Sequence, residues 1–410
     1  MNFYLINQYS GNKGDRAVLY AMCRFLKQAY PESEITVSTS DPELWDNYEF
    51  YKSQNIQFVP WSWDYDKINS CQLYWSFLRL IKKYTFTILR ETFLHGIRIV
   101  PFLSNPQFVK ALKQSDIVIS VGGHHFTTML SRDLVSSINF DAMTVLPYKQ
   151  IICFSQSFGP FEFHNVRNEI LTKKLLSRCI LMPRESTSKD ALEQFLKTSE
   201  NIHETHESVL SLSDDMSYRP IESRDNAVGI AIYCTQARSS IEKESYQKSI
   251  AEFCDYTISY GYSVRFFPME IKGTAPDDRH FIDEIISKIE KPGKCYVFDK
   301  DMETLQHLEE VSKCKLFVGH KTHSTIFALA TGTPLIAIAY HPKTIEFLRQ
   351  FDLDNFVIDD KHLTTQGLCG LFDEAAGRLN EISKHEYARS IQFAKQIKQD
   401  LTRAINTIKR

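Results

Sequence analysis

Two short apolar runs, LFVG at 316–319 and LIAIA at 335–339, constrain the fold of this chain more than any other feature of its sequence. Uninterrupted apolar runs bounded by turn residues are typical of strands that are buried on both faces of a sheet. The small-residue stretch between the runs, from about 324 to 330, predicts a helix, and the TGTP sequence after it predicts a turn. This order of elements predicts a parallel βαβ unit.

Polar side chains follow each of these two predicted strands. Lys321 and His323 come after the first strand, and Tyr340, His341 and Lys343 come after the second. Because the loops after consecutive parallel strands open at the same edge of a sheet, we expect the two groups to face each other. Cations at the amino end of a helix attract anions, so this segment predicts a binding pocket for a phosphorylated anion.

Length and charge limit the classes of protein that fit. With 410 residues the chain is too long for one ordinary core, so we expect two domains of roughly 200 residues. The 48 lysine and arginine residues are balanced by 50 aspartate and glutamate residues, which gives a formal net charge of −2. A nucleic-acid-binding protein usually carries a basic excess, so we expect no nucleic-acid partner.

The cysteine pattern and the start of the chain indicate a cytoplasmic protein. The nine cysteines are scattered without a CxxC pair, as is typical of reduced core cysteines. The first residues, MNFYLINQ, lack the features of a signal peptide, and no apolar run approaches the roughly 18 residues that a membrane-spanning helix needs. The sequence has no HExxH, EF-hand or Cys/His cluster motif, so we expect no metal and no resident cofactor.

Strand and helix patterns alternate through both halves of the chain. They predict two doubly wound, Rossmann-like α/β domains that face each other across a cleft. A polar stretch at about 198–225 marks the connection, so we assign the N-terminal domain to 1–218 and the C-terminal domain to 219–384. Residues 385–410 place apolar side chains on one stripe at helical spacing and predict a long amphipathic helix.

Glycine-containing turns follow two predicted strands in the first half. Gly11 and Gly14 follow the first strand of the chain, where they allow a tight turn into a helix whose amide groups face a ligand. Gly123 follows a later buried strand and allows a close backbone approach, and His124 and His125 extend the same loop. The alternatives are a plain strand-to-helix turn and a structural histidine pair.

Arg184 follows the apolar run CILM at 179–182 and precedes a predicted helix at 187–196. An arginine between the carboxyl end of a strand and the amino end of a helix is well placed to form two parallel hydrogen bonds with a carboxylate or phosphate. A solvated surface arginine is the alternative, and the position after a buried strand argues against it.

Six segments of the chain resemble, in this order, landmarks of the polysaccharide pyruvyl transferase family. They are YSGNKGDRAVL (9–19), SVGG (120–123), QSFGP (156–160), PRES (183–186), GYSVRFFP (261–268) with Asp277 and Asp278, and the stretch from HKTHS to TGTPLIAIAYHPK (320–343). Each segment alone is a weak signal. Six of them in family order across most of the chain are not expected by chance.

The resemblance implies both a fold and an activity. It implies a fold similar to glycosyltransferase type B, in which the last helix often crosses back onto the first domain, as would suit 385–410. It implies phosphoenolpyruvate as co-substrate and donor, and a glycan or lipid-linked saccharide as acceptor. The product would be a pyruvate ketal on a cell-surface polysaccharide.

The same resemblance assigns roles to individual residues. A donor with a carboxylate and a phosphate needs several fixed cations, each contact contributing about 1.5 to 3 kcal/mol. His323 matches a histidine of the family motif and is assigned as the acid that protonates the donor's methylene carbon. The base is left open among Asp15, Glu185 and His125. The assigned donor-binding residues are Arg184, Lys321, Thr322, His341 and Lys343. The assigned acceptor-binding residues are Gly11, Asn12, Gly123, His124 and His125.

The segment 76–104 has an excess of basic residues. Against the single acid Glu91 stand Arg79, Lys82, Lys83, Arg90 and Arg98. This composition is typical of an amphipathic segment on an anionic surface, and predicts peripheral contact with the cytoplasmic face of the inner membrane. The alternatives are helices packed on the sheet with a solvated basic side, and a basic border of the sugar-acceptor channel.

The chain departs from the family pattern at two positions. Lys321 stands where an arginine is usual, and His124 stands where a third glycine is common. A lysine keeps the positive charge but cannot form the bidentate fork of an arginine. Two other functions therefore stay open: a nucleotide-sugar glycosyltransferase, whose diphosphate suits the same helix end, and a non-catalytic glycan-binding relative.

Overall fold

The computed structural model describes residues 1–8, 12–62, 75–98, 104–129, 137–233, 238–271 and 276–408. The chain divides into two compact units. The first unit contains Met1–Ser10, Met22–Glu207 and Lys398–Arg410, and the second contains Gly11–Ala21 and Ser208–Ile397. The domain limits assigned from the sequence, 1–218, 219–384 and 385–410, stay predictions.

The first unit is built on a parallel sheet. Its strands are β1 (Asn2–Gln8), β2 (Glu34–Thr39), β3 (Gln57–Pro60), β4 (Ile117–Ser120), β5 (Gly123–Phe126), β6 (Ile151–Phe158) and β7 (Ile180–Pro183). The order across the sheet is β3, β2, β1, β4, β6, and both β5 and β7 pair with β6. The helices in chain order are α1 (Lys13–Ala29), α2 (Glu49–Ser53), α3 (Trp75–Leu94), α4 (Pro106–Gln114), α5 (Ser137–Val145), α6 (Val166–Leu176) and α7 (Ser186–Leu196).

The second unit is built on another parallel sheet. Its strands are β8 (Asp225–Ala231), β9 (Ser263–Phe266), β10 (Cys295–Val297), β11 (Cys314–Gly319), β12 (Leu335–Ala339) and β13 (Val357–Asp359). They lie in the order β10, β9, β8, β11, β12, β13. The helices that follow α7 are α8 (Ser240–Ser259), α9 (Asp278–Ile286), α10 (Thr304–Ser312), α11 (Thr322–Thr331), α12 (Pro342–Gln350), α13 (Thr365–Ala376) and α14 (Leu379–Ile408).

The two apolar runs form β11 and β12, the neighbouring strands that the sequence predicts. They pair in parallel, with Phe317 opposite Leu335 and Gly319 opposite Ala337. Helix α11 connects them and is buried along almost its whole length, which explains its small, apolar composition. The predicted fold class, two doubly wound α/β units, is confirmed. The predicted cleft between them stays a prediction.

Capping and strand pairing set the limits of several elements. Helix α1 begins at Lys13, because the Asn12 side chain caps its first turn. His124 and His125 lie on strand β5 and not in the predicted loop, because β5 pairs with the end of β6. For the same reason β6 continues through Phe158.

Helix α3, within the basic segment 76–104, packs against the first unit. Phe86, Leu89 and Phe93 are buried in its core, and Arg90 is buried with them. The Nη1 atom of Arg90 donates a hydrogen bond to Asn168 Oδ1 on α6 at 2.7 Å. This geometry agrees with a helix packed on the sheet, and membrane contact stays a prediction. Among the described helices, none is both long and apolar enough to cross a membrane.

The buried side chain of Arg224 forms hydrogen bonds with several parts of the second unit. Arg224, just before β8, donates hydrogen bonds to Thr333 Oγ1 at 2.7 Å and to the Gly332 carbonyl at 2.9 Å. It also donates to the Cys314 carbonyl at 3.2 Å and to Ser383 Oγ on α14 at 3.2 Å. Burial lowers the pKa of this guanidinium to about 10, so it stays charged at neutral pH. One side chain thus joins the starts of β11 and β12 to the last helix.

We expect Arg224→Met to lower the free energy of unfolding by at least about 3 kcal/mol, because it leaves several buried carbonyl and hydroxyl groups without donors. Urea unfolding measures this loss. The control is Arg378→Met, since Arg378 forms solvent-exposed ion pairs, which contribute little to stability. Equal losses in the two variants would show that the buried network is not important for stability.

Candidate functional site

Helix α11 begins with a lysine where a helix favours an acid. Lys321 is the N-cap residue of α11, and its first turn contains no acidic side chain. The partial positive charge at a helix amino end makes a cation there unfavourable by roughly 0.3 to 1 kcal/mol. Such an arrangement is typical of a site that binds an anion.

The Lys321 side chain forms an ion pair with a buried carboxylate. Its Nζ atom lies 3.0 Å from Asp278 Oδ1 and 2.9 Å from Asp278 Oδ2. The Oδ2 atom also accepts backbone hydrogen bonds from Met269 and Glu270, at 2.9 and 2.8 Å. Lys321 is therefore held in place at the end of β11, and its predicted role in donor binding stays a prediction.

His320 is the other histidine of the HKTH motif, and it is completely buried. Its Nδ1 atom is 2.9 Å from Tyr246 Oη, and its Nε2 atom is 3.3 Å from Asp360 Oδ1. Arg238 pairs with the same carboxylate and lies over the Tyr246 ring, 4.1 Å from its centroid. Burial lowers the pKa of His320, although the Asp360 charge opposes this effect. His320 is thus a neutral, interior anchor at neutral pH.

The first turn of α1 is closed by a reciprocal cap. The Asn12 Oδ1 atom accepts a hydrogen bond from the Asp15 amide at 2.8 Å, and Asn12 Nδ2 donates to Asp15 Oδ2 at 2.9 Å. The Lys13 amide donates to the Met269 carbonyl at 3.2 Å. These contacts fix the turn against the loop after β9 within the second unit. The neighbouring Gly11 lies outside the described residues.

His323, on the first turn of α11, lies directly against Gly14 of α1. A Cβ atom added at Gly14 would lie 2.2 Å from His323 Nδ1 and 2.8 Å from His323 Cβ. No side chain fits in that space, so the position requires glycine for close packing and not for backbone conformation. The amino ends of two helices therefore meet at the histidine that the family resemblance assigns as the acid.

The amino end of a third helix lies next to the second. His341 is the N-cap residue of α12, and its Nδ1 atom accepts a hydrogen bond from the Lys343 amide at 3.2 Å. The Thr322 hydroxyl on α11 approaches the Thr344 hydroxyl of α12 and the Tyr340 hydroxyl, each at 3.5 Å. Three helix amino ends thus lie together in the second unit.

Each of these three helices carries a lysine at its amino end: Lys13 of α1, Lys321 of α11 and Lys343 of α12. The charges and the helix partial charges have the same sign and repel one another. A sequence keeps such a cluster when an anion offsets it. The site is therefore suited to a small ligand with more than one negative charge.

Lys13 is almost fully buried, with 4 % of its surface exposed. Burial lowers the pKa of its ammonium from 10.5 to about 8, while Asp301 opposes this and Arg16 adds to it. Its Nζ atom has no hydrogen-bond partner among the described residues. By contrast, Arg16 forms a two-armed ion pair with Asp301, at 2.6 and 3.1 Å.

Arg184 and Glu185 lie at the end of β7 in the first unit, and both are buried. Arg184 Nε donates to Ser157 Oγ at 2.9 Å, and its Nη1 atom donates to Glu207. The same Nε atom lies 3.5 Å from Glu185 Oε2, while Glu185 Oε1 accepts from Ser188 Oγ at 2.6 Å. Arg184 thus serves two buried carboxylates, and its predicted role in donor binding stays a prediction.

Gly123, His124 and His125 lie on β5 of the first unit. The φ angle of Gly123 is +144°, and a Cβ atom there would lie 2.6 Å from His125 Nε2, so this position also needs glycine. His124 Nε2 is 2.5 Å from the Gly159 carbonyl oxygen, and His125 Nε2 is 3.2 Å from that of Gly122. Each histidine ring thus has a nitrogen within hydrogen-bonding distance of a backbone carbonyl oxygen. The predicted role of these residues in binding the sugar acceptor stays a prediction.

The second unit thus brings together seven of the residues that the sequence predicts for the site: Asn12, Asp15, Lys321, Thr322, His323, His341 and Lys343. The others that are described, Gly123, His124, His125, Arg184 and Glu185, lie in the first unit. Sequence reasoning missed Lys13, whose position before Gly14 was the available signal, and the anchoring role of His320. Among the described residues, no group of three or more His, Cys, Asp or Glu side chains is arranged to hold a metal.

Solved structures with the same fold define the class of protein. UDP-GlcNAc 2-epimerase from Neisseria meningitidis bound to UDP-GlcNAc aligns with a TM-score of 0.58 at 11 % identity, covering 99 % of this chain and 100 % of that one. A glycosyltransferase from Rickettsia africae ESF-5 aligns with a TM-score of 0.57 at 10 % identity, covering 100 % and 98 %. The chain therefore has the two-domain fold of the glycosyltransferase type B kind.

Residues 12–342 match the family described as polysaccharide pyruvyl transferase, so the chain belongs to that family of transferases. The match begins at Asn12 and ends at Pro342, so it includes the amino ends of α1 and α11 and stops at the first residue of α12, before Lys343. The amylovoran biosynthesis protein AmsJ of Erwinia amylovora is 23 % identical over 412 residues, covering 94 % of both chains. The family resemblance seen in the sequence is confirmed.

We expect Gly14→Ala to lower the free energy of unfolding by about 1 to 3 kcal/mol, because the new methyl group overlaps the His323 ring. Urea unfolding measures the change. The double variant Gly14→Ala/His323→Gly removes the overlap, including the one with His323 Cβ, so Gly14→Ala should cost little when position 323 is glycine. The matched control is Gly370→Ala in α13, where no atom lies within 4 Å and alanine should stabilise the helix by about 1 kcal/mol. A loss that persists in the double variant would contradict the contact.

We expect Lys13→Met to raise the free energy of unfolding at pH 7 by about 3 kcal/mol, because a pKa lowered from 10.5 to about 8 reflects an unfavourable buried charge. Between pH 8 and 10.5 the unfolded chain binds this proton more tightly than the folded chain. The free energy of unfolding of the wild-type protein therefore rises with pH and approaches that of the variant. The difference should shrink to about half by pH 9.5. Urea unfolding of both proteins at pH 7 and 9.5 measures it, and a less stable variant at pH 7 would contradict this account.

Proposed function

We propose that this chain is a phosphoenolpyruvate-dependent pyruvyl transferase. It would move the enolpyruvyl group onto a sugar of a cell-surface polysaccharide, or of its lipid-linked precursor, and release phosphate. The observation that carries the proposal is the proximity of three lysine-bearing helix amino ends in the second unit, α1 meeting α11 at His323 and α12 meeting α11 at Thr322. Membership of the family supports the same reaction.

The donor suits this cluster because its phosphate and its carboxylate are close together. Lys321 and Lys343 lie at neighbouring strand ends, and the first turns of α11 and α12 add their partial positive charges. Each charge-assisted contact would contribute about 1.5 to 3 kcal/mol. Thr322 stands between the two helix ends and offers a hydroxyl for an anionic oxygen.

The reaction begins with a proton transfer to carbon. His323 donates a proton to the methylene carbon of the donor, which becomes a methyl group and leaves an oxocarbenium-like centre at C2. An acceptor hydroxyl attacks C2 and loses its proton to a base, and the C2–O bond to phosphate then breaks. A positioned histidine contributes about 10²- to 10⁴-fold to such a step. The contact with Gly14 holds this ring in one place.

The ketal then closes by a second attack. After phosphate has left, a second hydroxyl of the same sugar adds to C2 and gives up its proton. Asp15, Glu185 and His125 remain the candidate bases, and Asp15 is the one that shares a helical turn with Gly14. Every step exchanges a proton or a carbon–oxygen bond, so we propose a reaction that needs no resident cofactor. We propose that the residues that bind the sugar acceptor are Asn12 and, on β5, Gly123, His124 and His125.

We expect purified protein to release phosphate from phosphoenolpyruvate only when a glycan acceptor is present, and His323→Ala to lower turnover by at least about 100-fold with the fold intact. Colorimetric phosphate measurement and mass spectrometry of the pyruvylated product follow the reaction. His362→Ala is the control, because His362 is a strongly exposed histidine of the same unit. Undiminished turnover of His323→Ala would reject this acid, and added chelator should leave wild-type turnover unchanged.

A nucleotide-sugar glycosyltransferase is the second candidate, because the fold is shared with a UDP-GlcNAc-bound structure. The same helix ends would accept a diphosphate. Thermal unfolding in the presence of phosphoenolpyruvate or of a panel of sugar nucleotides separates the two, since a bound ligand raises the melting temperature. Protection by a sugar nucleotide alone would favour the second candidate.

A further inference from the structure

The buried ammonium of Lys13 forms no ion pair with a described residue, unlike three other cations in the second unit. Arg16 is paired with Asp301, Arg279 with Asp277, and Lys321 with Asp278, the last two at 2.5 and 2.9 Å. Lys13 forms no ion pair with a described residue, and its Nζ atom has no hydrogen-bond partner among them. Each of these three cations thus has a carboxylate in direct contact, whereas Asp278 and Asp301 act on Lys13 without an ion pair.

His307, on α10, is a second buried group whose hydrogen-bonding capacity is unused. It is 1 % exposed, and neither ring nitrogen has a hydrogen-bond partner among the described residues. Phe267 and Phe327 pack around the ring, with centroids 5.5 and 5.0 Å away. Burial lowers its pKa well below 6.5, and the charges of Lys13 and Arg16 lower it further. His307 is therefore neutral and presents one donor and one acceptor.

Lys13 and His307 together leave five hydrogen-bonding positions unused in the interior of the second unit. Buried polar groups are nearly always hydrogen-bonded, and exceptions indicate a ligand or a role in function. Because four of the five positions are N–H donors and one side chain is cationic, the missing partner is rich in acceptors and negatively charged. Water alone would leave the charge uncompensated.

The location of this pair connects it to the candidate site. Lys13 is the first residue of α1, and its neighbour Gly14 contacts the His323 ring. The Lys13 amide is bonded to the Met269 carbonyl, and the Met269 amide is bonded to the carboxylate that holds Lys321. Lys13 is thus the chain neighbour of the residue that contacts the proposed acid.

We propose that Lys13 and His307 form an oxyanion subsite for the phosphate group of the donor. Phosphate offers three acceptor oxygens and carries about two negative charges at pH 7, which matches four donors and one unpaired cation. The identity of the donor rests on the proposed function, but the recognition of a phosphate oxyanion does not. The family match includes both positions but assigns neither of them a role.

The test measures ligand binding by isothermal titration calorimetry in wild-type protein, Lys13→Met and Lys27→Met. The probes are phosphoenolpyruvate, inorganic phosphate and UDP. Lys27→Met is the matched control, since Lys27 lies in the last turn of the same helix and bonds the Ser33 carbonyl at 2.8 Å. We expect Lys13→Met to bind phosphoenolpyruvate and phosphate at least tenfold more weakly, and Lys27→Met to bind as wild type. Circular dichroism and thermal unfolding check the fold of each variant.

The outcomes separate this inference from the proposed function. Tight phosphoenolpyruvate binding by a folded Lys13→Met would overturn the subsite and leave the proposed function in place. Wild-type protein that binds phosphate or UDP through Lys13, but not phosphoenolpyruvate, would support the subsite and reject the proposed donor. Absence of binding of all three probes to wild-type protein would overturn the subsite.

A pH profile gives a readout that a purely structural role would not change. The charged and titratable groups around Lys13 are Arg16, Asp278, Arg279, Asp301 and His307. Between pH 7 and 9 the donor phosphate stays fully ionised, because its second pKa is about 6. Wild-type affinity should fall as pH rises through about 8, the pKa of Lys13, and Lys13→Arg should bind equally at both ends of this range. The same fall in Lys13→Met would assign the effect to another group and overturn the inference.

Discussion

The rest of the candidate site depends on the contact between the amino ends of α1 and α11 at Gly14 and His323. In a parallel sheet every helix begins at the carboxyl edge of the strands, so helix amino ends collect there. Here α1 contributes its first turn to the second unit and joins that edge. Only a glycine lets the two helices approach so closely that the imidazole touches the backbone. The position of the ring, and of the charges beside it, follows from that approach.

The two histidines of the HKTH motif lie in different surroundings. His320 ends β11 in a buried network with Tyr246 and Asp360, where burial keeps it neutral. This network fixes the end of the strand, and α11 begins immediately after it. His323 is three residues further on, the second residue of α11, and is only partly buried, against Gly14. A rigid, uncharged anchor thus precedes the histidine that is proposed as the acid.

Sequence reasoning succeeded where local pattern decides the structure and failed where tertiary contacts do. The apolar runs that became β11 and β12 are buried on both faces, so their composition alone identifies them. Strand β5 was missed because its pairing with β6 depends on residues thirty positions away. Lys13 was missed for the same reason, since Asp278, Arg279 and Asp301, whose charges act on it, are far away in the sequence. The long-range pairing of Arg184 with Glu207 is likewise invisible in a local motif.

The lysine that replaces the usual arginine at 321 fits its surroundings for a geometric reason. Asp278 Oδ2 already accepts two backbone hydrogen bonds, so little of that oxygen remains for the second arm of a guanidinium. A compact ammonium contacts both carboxylate oxygens as a point charge, at 2.9 and 3.0 Å. The pair compensates the charge of Lys321, whereas Lys13 forms no ion pair with a described residue. The oxyanion subsite proposed above therefore lies at the first turn of α1 and not at position 321.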